Sequence, residues 1–91
     1  MIISKNVTIG DTPTLIHKAT SNGCFVYIAH ANGGDSVTLG TANVTHNSGF
    51  TISGTGSGNA YLNGPLPPGD SIYGICASGA TETIGVMIVE F

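Results

Sequence analysis

The sequence predicts an all-β fold: a β-sandwich, with a jelly roll as one form of it, of roughly seven to nine short strands. Three observations carry this. Short apolar runs alternate with Thr, Ser and Asn at period two. Gly, Asn, Asp and Pro clusters separate those runs at short intervals. No stretch reads as an amphipathic helix, because Gly, Thr and β-branched residues are spread throughout while Ala, Leu and Glu are scarce.

The elements follow in order. Val7 and Ile9 alternate with Thr8 until Gly10-Asp11 breaks the run. Leu15 to Ala19 forms a second short apolar segment after Pro13, and Asn22-Gly23 reads as a turn. Cys24 to His30 is the clearest strand. Cys24, Val26 and Ile28 point one way; Phe25, Tyr27 and Ala29 point the other. Ala31 to Asp35 reads as a loop, after which Val37 and Leu39 alternate with Ser36 and Thr38. Gly40 to Asn43 leads into Val44, and His46 to Gly49 turns the chain. Phe50 and Ile52 flank Thr51. Ser53 to Asn59 alternates glycine with small polar residues and reads as a flexible loop or glycine-lined bend. Tyr61-Leu62 is a brief strand. Gly64 to Asp70 holds three prolines that lack N–H donors, so it reads as an ordered turn and not as a central strand. Ser71 to Ala77 alternates again, Ser78-Gly79-Ala80 turns, and Thr83 to Phe91 is the last strand.

The 91 residues fit one domain, 1–91. A chain of this size buries only about 60–65% of the surface its unfolded form exposes, so association with other chains adds burial it lacks. Charged residues are 8% of the chain, against about 25% in an ordinary domain. The polar surface is therefore mainly Ser, Thr and Asn, which lose little rotamer entropy when a neighbour covers them.

Charge excludes several function classes. The net charge is -3, and Lys5 and Lys18 are the only fixed cationic side chains. A nucleic-acid binder needs several Lys or Arg contacts to phosphate, and an anionic membrane surface needs a basic patch. The expectation is no nucleic acid and no membrane partner. No charged segment followed by a long apolar run opens the sequence, so synthesis in the cytoplasm without cleavage is expected. Asn6-Val7-Thr8 and Asn43-Val44-Thr45 match the glycosylation pattern and read as chance in a Thr-rich chain.

Candidate chemistry is sparse. His17, His30 and His46 form no close pair of the kind that signals a metal site, and Cys24 and Cys76 form no CxxC pair. Both cysteines sit in apolar runs and read as buried thiols, with a disulfide between them as the alternative. His30 continues the face of Cys24, Val26 and Ile28 and is expected half-buried. Asp11, Asp35, Asp70, Glu82 and Glu90 lie mostly at turns, with no pair suited to acid–base work. Ser36, Ser53, Ser57 and Ser78 lack a nucleophile context, and Gly54 to Gly58 lacks the lysine of a phosphate loop. Tyr27, Tyr61 and Tyr73 would make a sugar platform only if they share one face. No catalytic residue, cofactor or metal ligand is assigned, and the chain is not expected to be an enzyme.

Three stretches together carry a resemblance. They are Val7-Thr8-Ile9-Gly10 with Leu15–Ala19 behind it; Phe25-Val26-Tyr27-Ile28 running to Val37-Thr38-Leu39-Gly40 and Asn43-Val44-Thr45; and Leu66-Pro67-Pro68-Gly69-Asp70-Ser71-Ile72-Tyr73-Gly74-Ile75 followed by Ala77-Ser78-Gly79. Their layout resembles small β-sandwich structural proteins of tailed-bacteriophage virions, including head decoration and fibre-associated modules. The chain departs from the commonest pattern in lacking arginines after the second strand. The resemblance implies a capsid decoration protein on the outer surface of the virion head, with the major capsid protein as partner. Self-association, as a trimer, is expected because Cys24–His30 and Thr83–Phe91 are apolar on both faces. The alternatives are a carbohydrate- or receptor-binding module of a tail or fibre, and a tail or neck structural protein.

Overall fold

A computed structural model describes residues 1–30, 35–52 and 60–91. Among these residues there are eight strands: β1 (Ile2–Ile9), β2 (Thr14–Lys18), β3 (Cys24–His30), β4 (Val37–Gly40), β5 (Phe50–Ile52), β6 (Ala60–Leu66), β7 (Ser71–Ile75) and β8 (Glu82–Glu90). They form two four-stranded sheets, ordered β1-β8-β3-β6 and β2-β7-β4-β5. Every pairing is antiparallel. The chain changes sheet at every connection except β4 to β5, and this interleaving is the strand order of an eight-stranded jelly roll. Residues 31–34 of the expected Ala31–Asp35 loop and the glycine-rich stretch 53–59 lie outside the described residues.

The core forms where the alternation points inward from both sheets. β3 contributes Cys24, Val26 and Ile28, and β8 contributes Ile84, Val86 and Ile88. Ile16, Val37, Leu39 and Ile52 meet them from the other sheet. β3 and β8 are the two inner strands of their sheet, so the apolar character of both their faces divides in two. One side fills the core. The other, with Tyr27 and Met87 paired across the strands, faces outward.

Two strands differ from the sequence expectation. β6 runs on through Gly64, Pro65 and Leu66, where a turn is expected. It does so because it lies at a sheet edge, where a missing N–H is tolerated. The turn is confined to the residues after it, with Gly69 at a φ of 78°. β1 begins five residues before Val7, because its first half does not alternate cleanly. Ile3, Lys5 and Val7 share the core-side register with Ile88, Val86 and Ile84, yet Lys5 is exposed.

Gly49 is required by a close approach. Its φ is 151°, and a Cβ there would lie 2.6 Å from the Leu39 carbonyl oxygen and 2.7 Å from Thr38 Cγ2. No side chain fits that turn, which seats β5 against β4.

Candidate functional site

The free edge of β1 is the most extensive feature available for function. β1 is paired in register with β8 along all eight of its residues without a bulge. The direction of each amide follows from one end of the ladder. The Glu90 N–H donates to the Met1 carbonyl at 2.8 Å, and the Met1 amino group donates to the Glu90 carbonyl at 3.2 Å. In an antiparallel pair the bonded and non-bonded positions alternate. Ile3, Lys5 and Val7 therefore bond to β8, while the N–H groups of Ile2, Ser4, Asn6 and Thr8 point away from the sheet. A long, regular edge of this kind is a template for another strand.

The other three edges are protected or short. β2 carries a register shift between Leu15 and His17 and ends in Lys18. β5 has three residues, and β6 carries Pro65. On β1, Ile3 and Val7 are only partly buried although they face the core side, so the sandwich is unfinished there. Ile2, on the outer side of the same strand, is 67% exposed.

Beside this edge, the outer face of the β1-β8-β3-β6 sheet holds an open groove of about 680 Å³. Gly85 and Ala29 are opposite each other and keep its floor low. Tyr27, Met87, Asn6 and Asn63 also line it. Phe25 stands next to Tyr27, their ring centroids 5.0 Å apart.

At one end of the sandwich, His17, Cys24 and Glu90 come together from β2, β3 and β8. His17 Nε2 lies 2.8 Å from Glu90 Oε1. One donor atom from each of the three residues falls within 4.8 Å of the other two. Sequence reasoning missed this group, because its members are far apart in the chain and come from both sheets. Burial, and secondarily the Glu90 charge, holds the Cys24 thiol above its usual range. Cys76 is likewise raised by burial, against a lowering backbone hydrogen bond at Glu82; the charges of Glu82, Asp35 and Asp11 raise it further. Its thiol donates to the Ile9 carbonyl at 3.3 Å. Both cysteines are free, with no disulfide between them.

The other sequence candidates stay apart. His30 is fully buried, not half-buried, with its Nε2 on the Asp35 carbonyl. His46 is exposed. Asp11 accepts the Gly79 N–H at 3.0 Å, an ordinary turn contact. Tyr27 is in β3 and Tyr73 in β7, and they lie on opposite outer faces of the sandwich, so the three tyrosines form no shared platform. The side chain of Tyr61 lies outside the described residues. Among the described residues no serine hydroxyl bonds a histidine.

No known protein family matches the sequence, and no curated protein matches it. The fold is similar to that of a chain from Bacillus endospore appendages, described as a novel family of disulfide-linked pili. The TM-score is 0.51 and the identity 16%, over 100% of this chain and 86% of that one. This corrects the resemblance to bacteriophage virion proteins. The stretches that carried it are alternating strands and Gly/Pro turns, which this sandwich demands wherever it occurs and which specify no partner. Capsid decoration, the major capsid protein as partner, and the virion head as location fall with it.

Proposed function

We propose that this chain, acting as one domain over residues 1–91, is a self-assembling structural subunit of a fibre at a bacterial cell surface. Of the roles expected from sequence, the fibre-associated one agrees with the likeness to an appendage chain. The free β1 edge carries the proposal. Four outward N–H groups, two half-covered apolar side chains and a single charge, Lys5, offer a strand-length site to a second copy. Where a surface of that copy other than its own β1 docks there, the contact joins unlike surfaces. Contacts of that kind extend into open filaments unless the rotation closes them into a ring. The assembly proposed is an open one, where the sequence expectation is a trimer. Disulfide linkage, the mark of those appendages, is not part of this reading, because Cys24 and Cys76 are 0% and 1% exposed.

Few long charged side chains need to be desolvated at such a contact, so salt has little effect on it. Negative-stain microscopy of the purified chain, concentrated under reducing conditions, should show unbranched filaments at both low and high salt. A chain that sediments as a monomer at every accessible concentration contradicts the proposal.

A further inference from the structure

We infer that His17, Cys24 and Glu90 form a zinc site that clamps the two sheets of the sandwich together at one end. Cys24 and Glu90 are register partners on adjacent strands of one sheet, and His17 reaches them from the other sheet. The donor set is a thiol sulfur, an imidazole nitrogen and a carboxylate oxygen. Soft sulfur with nitrogen selects zinc-class ions over calcium or magnesium, which take oxygen ligands.

Two observations point to a ligand at this place. The three donor atoms converge within 4.8 Å, and tetrahedral zinc with bonds of about 2.0 Å to nitrogen and 2.3 Å to sulfur sets its donors roughly 3.3–3.6 Å apart. Small side-chain rotations reach that spacing, opening the 2.8 Å His17–Glu90 contact slightly and drawing Cys24 Sγ in. Separately, Glu90 Oε2 is buried with no hydrogen-bond partner, although its side chain is only 8% exposed. A buried oxygen left in that state is costly, and a cation beside Oε1 would satisfy both oxygens of the carboxylate.

On binding, Zn²⁺ forms bonds to Cys24 Sγ, His17 Nε2 and the Glu90 carboxylate. The S–H bond breaks and its proton passes to solvent. The Nε2 proton that bridges to Glu90 is lost to solvent as Nδ1 takes one up, so the neutral ring binds through Nε2 and carries its proton on Nδ1. The fourth position takes water. The His17–Glu90 hydrogen bond is exchanged for two metal bonds, so the site links β2 to β3 and β8 through the ion. This inference stands independently of fibre formation.

Cobalt(II) is the probe, added to the reduced, full-length chain. The expected result is saturation at one ion per chain, with a sulfur-to-cobalt charge-transfer band and visible bands of tetrahedral intensity, all abolished by one equivalent of Zn²⁺. Cys76→Ser should retain the bands and Cys24→Ser should lose them. His17→Gln and Glu90→Gln should each weaken binding by more than about 100-fold, beyond what loss of an outer partner costs. Far-ultraviolet dichroism identifies any variant that fails to fold, and the remaining variants then decide. Absence of a charge-transfer band at millimolar cobalt overturns the inference. So does a band that survives in folded Cys24→Ser or disappears in folded Cys76→Ser.

Discussion

Asn6→Pro should strongly weaken filament formation and leave the sandwich folded. Asn6 faces Gly85 at a position where its N–H points out of the sheet, so proline removes no bond to β8. Lys5, before it, keeps the extended conformation that a following proline prefers. What the ring blocks is an incoming strand, by deleting a donor and by occupying the space next to it. One lost hydrogen bond and one clash together cost about 2–4 kcal/mol per contact, which raises the concentration needed for assembly at least about 30-fold. Sedimentation across a concentration series measures it. Lys5→Pro is the informative contrast. The Lys5 N–H bonds within the β1–β8 ladder, so proline one residue earlier should destabilise the monomer itself. Equal behaviour of the two variants would mean that the edge is not read by backbone pairing.

The second large effect concerns the fold. Ile28 is 1% exposed, in the middle of β3, flanked in register by Leu62 and Val86. Ile28→Ala should cost about 2–5 kcal/mol, the range for removing a buried Ile side chain where neighbours relax only partly. A domain of this length has only about 5–14 kcal/mol to lose. The urea midpoint should fall steeply with little change in slope. A loss under about 1 kcal/mol would mean that the two sheets are packed less closely than described.

How much of this was legible in the sequence depended on which side of a strand water reaches. β3 was readable to the residue, because an inner strand with one face in the core must alternate Cys24, Val26 and Ile28 against the other set. β1 was readable only from Val7 onward. At an edge, the core-side register can hold Lys5, whose charge escapes sideways to water, and the alternation is lost. Pro65 masked the end of β6 for a related reason: the proline rule applies to inner strands, and β6 is not one. Neither the pairing of strands nor the assignment of each to a sheet can be read from local pattern. This hid the convergence of His17, Cys24 and Glu90, and it left open a shared face for Tyr27 and Tyr73 that the fold does not provide. The resemblance to virion proteins failed for a similar reason. It rested on strands and turns, which report the sandwich, while the assembly role rests on which edge is left unpaired.

Hydrogen exchange on the assembled protein tests the central claim most directly. In the dispersed chain the amides of Ile3, Lys5 and Val7 are protected by β8, while those of Ile2, Ser4, Asn6 and Thr8 exchange freely. On assembly the second set should become protected by at least about tenfold, with little change in the first. If filaments form while Ile2, Ser4, Asn6 and Thr8 exchange as they do in the free chain, β1 is not the assembling edge.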